Sequence, residues 1–364
     1  MKSVCFLFLL LLSIGGSSQQ QTRNIIIITT DGLRWQEVFQ GMDTSIANKS
    51  KYNEGDSTYI YSSYWSADER ERRKKLMPFL WSTIVSKGQV FGNRRLGNKV
   101  DNANPYWFSY PGYSEIFTGY ADTAINSNNY PPNPHVSVLE FLNNQPPLKG
   151  KVAAFGAWNA FDRILNEERS KIPVVCGFDI TGDKSPTANE KLINQMLSDS
   201  YKPWLEDECL DIFTHYAAME WLKTRKPRVL YIGYGETDEW AHAGRYRSYL
   251  DAARQVDAWI KEIWEFVQKD PQYKDKTTLF ITTDHGRGDI KKEEWTSHGS
   301  SIEGANEIWF AVLGPDTPER GEINTSVLLY QKQFAQTMAK LLGYTYKATH
   351  PIADAILYEF KMKK

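Results

Sequence analysis

Short apolar runs rich in β-branched residues alternate with longer amphipathic segments along most of this chain, and this alternation constrains its fold more than any other feature. Five runs have the length and composition of buried strands: residues 24–30, 151–157, 228–234, 277–283 and 307–314. Three segments carry apolar side chains at the spacing of amphipathic helices: residues 209–225, 247–269 and 328–343. The pattern predicts an α/β fold, a three-layer α/β/α sandwich with a largely parallel central sheet.

The first 18 residues have the anatomy of a secretory signal peptide: Lys2, an apolar run over 4–14 and then small residues. We therefore expect an exported protein, periplasmic or secreted, without stable membrane insertion and with one domain over residues 19–364. A retained membrane anchor is the alternative, although the apolar run is short for a bilayer span. The polar stretch at 41–73 is expected to be an insertion or lid after the first strand.

Charge and cysteine content narrow the class of protein. The formal net charge of −1 does not suggest a basic surface that coats nucleic acid. Cys176 and Cys209 lie beyond the predicted signal peptide, and an exported protein can join such a pair in a disulfide. Two buried free thiols are the alternative, and the sequence leaves both open.

Carboxylates and histidines follow three of the predicted strands directly. Ligands of a parallel sheet bind at the carboxyl ends of its strands, so these positions are the first candidates for a site. The candidate residues are Asp31, Asp238, His242, Asp284 and His285, with His298 in a later loop of small residues. Three carboxylates and three imidazoles suit two divalent cations, with zinc expected and manganese as the alternative.

Two serines compete for the role of nucleophile in the stretch SYPGYSEIFTGY at 109–120. Pro111 is tolerated in the first turn of a helix, so a helix is expected to begin near it. Ser109 then stands at or beside the helix N-cap, where backbone N–H groups favour an anion, whereas Ser114 lies about a turn inside. We therefore expect Ser109 to be the nucleophile, with a plain N-cap serine as the alternative.

Over residues 24–344 these motifs resemble the alkaline phosphatase superfamily. Its nucleophile stands nine residues before a Thr-Gly pair, a spacing that Ser109 has relative to Thr118 and Gly119 and that Ser114 lacks. The resemblance implies that one metal ion is bound by Asp31, Asp284, His285 and Ser109. It implies that a second metal ion is bound by Asp238, His242 and His298.

The segments YGETDEWAHAG and TTDHGRG are most similar to the type I phosphodiesterase and nucleotide pyrophosphatase branch of that superfamily. The branch usually has Asn directly after the proline of the nucleophile motif, where this chain has Gly112. Its substrate-binding Asn beyond the Thr-Gly pair is approximately matched by both Asn128 and Asn129. Sulfatase activity is not expected, because Tyr113 stands where the sulfatase motif has Arg.

The resemblance implies a hydrolase that acts through a phosphoseryl intermediate. One metal ion favours the Ser109 alkoxide, which attacks phosphorus, and the other stabilises the leaving oxygen. Water then hydrolyses the intermediate with net retention at phosphorus. Asn128 or Asn129, together with the backbone N–H of Tyr110, is expected to hold a non-bridging oxygen.

Small phosphodiesters or nucleotide pyrophosphates are the expected substrates, and phosphomonoesters are the alternative. Monoesterases usually place a Lys or Arg on the additional charged oxygen. Arg163 and Arg169 are the candidates after the second predicted strand, and Arg163 is assigned to substrate binding. A non-catalytic zinc-containing binding protein is a further alternative, disfavoured because three protein ligands leave the second metal ion open.

Overall fold

The computed structural model describes residues 21–182 and 185–356, so the predicted signal peptide lies outside the described residues. The strands are β1 Asn24–Thr30, β2 Gln89–Phe91, β3 Asn98–Asp101, β4 Val152–Gly156, β5 Val174–Cys176, β6 Val229–Tyr234, β7 Thr277–Thr282, β8 Glu307–Ile308, β9 Phe310–Leu313, β10 Gly321–Glu322 and β11 Val327–Tyr330. Eight of them form one sheet in the order β10-β2-β9-β7-β1-β6-β4-β5, and β11-β3-β8 form a small second sheet.

The α-helices are α1 Trp35–Gln40, α2 Thr44–Ala47, α3 Ser57–Tyr64, α4 Glu69–Leu76, α5 Val85–Lys87, α6 Ser109–Thr118, α7 Val138–Asn143, α8 Phe161–Ile164, α9 Glu167–Ser170, α10 Ala188–Asp199, α11 Asp211–Thr224, α12 Glu236–His242, α13 Tyr246–Val267 and α14 Phe334–Leu341. A π-helical turn covers Leu80–Ile84, and 3₁₀ turns cover Arg94–Leu96, Lys292–Thr296 and Gln331–Gln333.

Both faces of the large sheet are covered by helices. Successive side chains of a strand point to opposite faces, and in β1 Ile26 and Ile28 belong to one apolar cluster while Ile25 and Ile27 belong to another. The first cluster includes side chains of α11 and α13, and the second includes side chains of α6, α7 and α14. This confirms the predicted α/β class.

The sheet is parallel through its centre and mixed at one side. Strands β5, β4, β6, β1 and β7 pair in parallel, whereas β9 pairs antiparallel with β7. Neighbouring parallel strands are usually joined by a helical crossover. The connection between β7 and β8 contains only the 3₁₀ turn Lys292–Thr296, which agrees with the antiparallel direction of β9. The prediction of a largely parallel sheet is confirmed, with an antiparallel strand that the alternation alone did not indicate.

Two predicted elements differ from the structure. The run 307–314 is divided at Trp309, whose indole donates to the Leu33 carbonyl at 2.9 Å, so it forms β8 and β9 rather than one strand. The expected helix over 328–343 was wrong in its first part, where β11 pairs with β3 before α14 begins. Leu329 is buried and Leu328 exposed, which is the period-two burial of a strand.

The polar stretch at 41–73 is folded against the body of the molecule. It contains α2, α3 and part of α4, and its apolar side chains Ile46, Ile60 and Tyr64 are buried. The backbone N–H of Asp43 donates to the hydroxyl of Tyr246 in α13 at 2.6 Å. These contacts anchor the stretch beside α13.

Cys176 and Cys209 are buried free thiols, which decides between the two alternatives that the sequence left open. Cys176 Sγ lies 3.2 Å from the Asn159 carbonyl oxygen, and Cys209 Sγ lies 3.5 Å from Thr214 Oγ1. Among the helices of the described residues, none combines the length and the apolar composition needed to cross a bilayer.

Candidate active site

Three neighbouring strands of the sheet deliver the predicted metal-binding residues to one edge. Strand β1 lies between β7 and β6, and all three run parallel. Asp31 follows β1, Asp284 and His285 follow β7, and α12, which begins after β6, carries Asp238 and His242. Parallel strands end at the same edge, so side chains that are distant in sequence meet there.

Asp31, Asp284 and His285 form the first ligand group, and all three are buried. His285 Nε2 lies 3.3 Å from Asp31 Oδ1 and 3.4 Å from Asp284 Oδ2. The opposite ring nitrogen, Nδ1, lies 2.9 Å from the Gly286 carbonyl oxygen, which can only accept. A ring proton therefore belongs on Nδ1, and Nε2 faces the two carboxylates.

Two oxygens of this group have no partner within the described residues. Asp31 Oδ1 and Asp284 Oδ2 are buried and accept no hydrogen bond. Buried carboxylate oxygens normally find donors or a cation, and two of them beside an available imidazole nitrogen fit a divalent metal ion. The residues present therefore fit the metal that the sequence predicts.

Asp238, His285 and His298 form a second group whose ligand atoms lie within 4.8 Å of one another. His242 adjoins this group from α12, because its Nε2 lies 3.0 Å from Asp238 Oδ2 and 2.9 Å from His298 Nε2. The spacing of four residues places Asp238 and His242 on one helical face, as predicted. The structure thus brings together all six predicted ligands other than the serine.

Ser109 lies beside the first ligand group. It is the first residue of α6, with Phe108 as the N-cap, and its Oγ lies 3.4 Å from His285 Nε2. The helix therefore begins two residues earlier than the expected start near Pro111, which occupies its first turn. Ser114 Oγ instead accepts a hydrogen bond from Asn133 Nδ2 at 2.9 Å in a buried position.

Known proteins share this fold and part of its sequence. Residues 204–343, which contain five of the predicted ligands, match the family model described as the Metalloenzyme superfamily. The structure is similar to that of a Vibrio parahaemolyticus protein in the alkaline phosphatase superfamily, with a TM-score of 0.52 at 12% identity. The match covers 91% of this chain and 69% of that one. The chain shares its fold with members of the alkaline phosphatase superfamily.

Two further structures show the range of proteins with this superfamily fold. A putative sulfatase from Bacteroides thetaiotaomicron has a TM-score of 0.59 at 12% identity, covering 94% of this chain and 75% of that one. A mutant of the alkaline phosphatase PafA has a TM-score of 0.57 at 9% identity, covering 93% of this chain and 99% of that one. No curated protein matches the chain in sequence.

The electrostatics of the site agree with the binding of divalent metal ions by the two ligand groups. Burial raises the pKa of Asp284 well above its usual range, and the neighbouring charge of Asp31 adds to this shift. Burial opposes ionisation of Asp238 too, but the Arg287 guanidinium holds the pKa of that carboxyl well below its usual range. Bound cations would stabilise all three carboxylates in their charged form.

Of the two asparagine candidates for substrate binding, only Asn128 meets the nucleophile helix. Its Oδ1 accepts a hydrogen bond of 2.9 Å from the backbone N–H of Tyr110. The Tyr110 N–H and the Asn128 oxygen, both expected to face substrate, therefore bind each other. Asn129 is exposed, and its N–H donates to Ser127 Oγ at 3.0 Å.

The two arginines considered for substrate binding are engaged with the protein. Arg163 donates from Nη1 to the Tyr130 carbonyl at 2.6 Å and lies near the Asn128 carbonyl at 3.5 Å. Arg169 pairs with Glu140 at 2.9 Å and donates to three backbone carbonyls in 133–135. In this structure both side chains brace the loop that carries Asn128.

Three side chains of the site were missed by the sequence reasoning. Arg287 is fully buried and donates to the Asp238 carboxylate and to its carbonyl, the latter at 3.0 Å. The Tyr113 hydroxyl donates to Asp31 Oδ2 at 3.0 Å. Glu208 is buried near Asp31 and Asp238 and comes from a loop with no motif. The position of Arg287 in TTDHGRG could have suggested the first of these.

Gly112, a departure from the expected motif, is required by packing. A Cβ at this position would lie 2.5 Å from the Asp284 carbonyl oxygen, closer than a side chain tolerates. Helix α6 therefore lies directly on the backbone of the first ligand group. This contact places the start of α6, and with it Ser109, beside His285.

Proposed function

We propose that this chain is an exported phosphoester hydrolase that acts on phosphodiesters or nucleotide pyrophosphates through a phosphoseryl intermediate. The observation that carries the proposal is the position of Ser109 Oγ, 3.4 Å from His285 Nε2 and beside the unpartnered oxygens of Asp31 and Asp284. A nucleophilic hydroxyl next to a metal-ligand set is the arrangement that phosphoryl transfer to serine needs.

The two ligand groups would hold two divalent metal ions, with zinc expected. Asp31, Asp284 and His285 would hold one, together with Ser109. Asp238 and His298 of the second group, together with the adjoining His242, would hold the other. Such ions supply Lewis-acid stabilisation of an oxygen nucleophile and of a departing oxygen.

The residues of this chain then divide the work of the reaction. Ser109 Oγ forms a bond to phosphorus while the bond to the leaving alcohol breaks, and water later cleaves the phosphoseryl ester. Asn128 Oδ1 accepts a hydrogen bond from the backbone N–H of Tyr110. This bond would orient the Nδ2 donors of Asn128 toward a phosphoryl oxygen of the substrate. Arg163 keeps Asn128 in place by binding the adjacent loop carbonyls.

The positions of the arginine side chains near the site favour a diester substrate over a monoester. Arg163 and Arg169 are bound to loop carbonyls or to Glu140, and Arg287 is bound to Asp238. A monoester carries an additional negative charge that would need a cationic partner. Because all three arginines are already bound within the protein, none of them is available to pair with the additional charge of a monoester.

The test is the ratio of initial rates on an aryl phosphodiester and the matching monoester, with the aryl sulfate as a third substrate. One zinc-loaded preparation is used for all three. A diester rate well above the other two supports the proposal. A dominant monoester rate would favour a phosphomonoesterase, and a dominant sulfate rate would favour a sulfatase. No turnover of any substrate would favour the non-catalytic binding protein.

A further inference from the structure

Large exposed apolar side chains are concentrated in one segment of the chain, which contains α10, part of α11 and the loops beside them. Ten such side chains are exposed among the described residues, and seven of them belong to 180–216: Ile180, Leu192, Met196, Tyr201, Leu205, Ile212 and Tyr216. Single exposed apolar residues are normal, whereas a cluster of them marks a surface that binds another molecule. Four of the seven line a groove between α10 and α11, namely Leu192, Met196, Ile212 and Tyr216.

The groove runs between two antiparallel helices. Near the start of α10, Asn189 Nδ2 donates to the Glu220 carboxylate in the later part of α11 at 3.0 Å. Near the end of α10, Leu197 is buried, and Phe213 from the first turn of α11 packs against the small apolar cluster that contains it. These two contacts fix the register of the two helices. The groove has a volume of about 360 Å³, and most of the side chains that line it are apolar.

Opposite charges without ion-pair partners lie at the two ends of this surface. Lys223 lines the groove about one turn beyond Glu220, so it is level with the start of α10. Asp199 is the last residue of α10 and lies on the same helical face as Leu192, seven residues earlier. Both charged side chains are exposed, and neither forms an ion pair with any described residue. Glu220 differs, because Asn189 donates to its carboxylate.

These charges and the apolar side chains between them make the surface complementary to itself. When α10 of a second copy lies antiparallel on α10 and fills the groove, its last residue comes beside the start of α10 and the end of α11. Asp199 of the second copy then meets Lys223, and the twofold axis brings Lys223 of the second copy to Asp199. The midpoint between the level of Lys223 and that of Asp199 falls near Leu192, so the exposed leucines of both copies meet at the axis.

We infer that α10 and α11 form the interface of a homodimer, in which the groove of each copy holds α10 of the other. Helix α10 has 12 residues and is about 18 Å long, so an interface two helices wide is smaller than that of a tight complex. The expected dissociation constant is therefore in the micromolar range. A negatively charged bilayer is a poorer occupant, because Asp199 and Asp207 are exposed in the same segment as the apolar residues.

Sedimentation equilibrium tests the dimer without turnover, so its result is independent of the proposed activity. The mean mass of the zinc-loaded protein is measured between about 1 and 200 µM, a range that brackets a micromolar dissociation constant. The mass is expected to rise from that of one chain to that of two. A mass of one chain at every concentration would overturn the inference, and binding of that monomer to phosphatidylcholine vesicles would assign the surface to lipid instead.

Substitutions of exposed leucines locate the interface. L192D should keep the protein monomeric, because it places a charge at the apolar centre of the contact. L96D is the matched control and should leave association unchanged, since Leu96 is also exposed but lies in the 3₁₀ turn Arg94–Leu96, outside the groove. Circular dichroism verifies that both variants are folded. Dimerisation that survives L192D would place the interface elsewhere and contradict the assignment.

Charge reversal tests the twofold pairing itself. D199K and K223D each place like charges opposite one another twice in the dimer, so each should weaken association by about tenfold. The double variant D199K/K223D reverses both partners of each pair and should restore association. K191D is the control and should change nothing, because Lys191 is exposed on α10 but does not line the groove. A double variant that associates no more tightly than the single variants would contradict the pairing of Asp199 with Lys223.

Discussion

The Nε2 atoms of His242 and His298 lie 2.9 Å apart, although 56 residues separate them in sequence. His242 comes from α12 and His298 from the loop after the 3₁₀ turn Lys292–Thr296. Both rings meet at Asp238, whose Oδ2 lies 3.0 Å from His242 Nε2 and whose Oδ1 lies 3.8 Å from His298 Nε2. Two imidazole nitrogens and a carboxylate that converge in this way form a ligand set for one divalent ion.

Replacing His298 with alanine is therefore expected to lower the metal content by about half, because only the second ligand group loses a member. Metal per chain is measured by mass spectrometry after dialysis against a weak chelator. His135→Ala is the matched control, since His135 pairs with Asp122 at 2.6 Å and belongs to neither ligand group. Unchanged metal content in the His298 variant would contradict the assignment.

Ser109→Ala should abolish turnover of the aryl diester while the metal content stays unchanged, because the other ligands remain. Ser114→Ala should retain turnover, since Ser114 Oγ only accepts a hydrogen bond from Asn133. Initial rates and metal content are measured on both variants. A Ser109 variant that keeps more than about a thousandth of the rate would rule out Ser109 as the covalent nucleophile.

Arg163→Met tests whether this arginine braces a loop or binds substrate charge. The Tyr130 carbonyl and the Asn128 loop would lose their brace, so diester and monoester rates should fall by a similar factor. The measured quantity is the ratio of the two rates in the variant and in the unmodified protein. A selective loss of the monoester rate would instead show that Arg163 binds the additional phosphate charge.

His215 should make the stability of the protein depend on pH. Burial lowers the pKa of His215 from its ordinary value of 6.5 to about 4, and its ring stacks on Trp259. Because the pKa of His215 is lower in the folded protein, the unfolded chain binds this proton more readily between pH 4 and pH 6.5. The contribution to stability is therefore complete above pH 6.5 and is lost as the pH falls toward 4, by about 3 kcal/mol.

The comparison for this prediction is His215→Gln, which cannot take up the proton. The free energy of unfolding is measured with urea between pH 4 and 7, with chelator in every sample so that metal release does not contribute. The variant is expected to be less stable near neutral pH because it loses the stacking on Trp259. The difference between the two proteins should narrow as the pH falls, and a constant difference would count against the assigned shift.

Sequence alone determined the features that depend on neighbours along the chain. The runs that became β1, β4, β6 and β7 were identified from apolar clustering, because a strand buried on both faces needs that composition locally. The six metal-ligand candidates were identified because each follows a strand or lies in a short motif. The position of Ser109 at the start of a helix, and its spacing from Thr118 and Gly119 that the family resemblance made meaningful, distinguished it from Ser114.

Tertiary structure decided what depends on the path of the chain in space. The antiparallel direction of β9, the free state of Cys176 and Cys209, and the engagement of Arg163 with Tyr130 all arise between distant segments. The same holds for Glu208, which no motif marks and which reaches the site only because its loop crosses the ends of β4 and β6. Local composition specifies an element and its buried face, whereas the partners of a polar side chain depend on which loops the fold brings together.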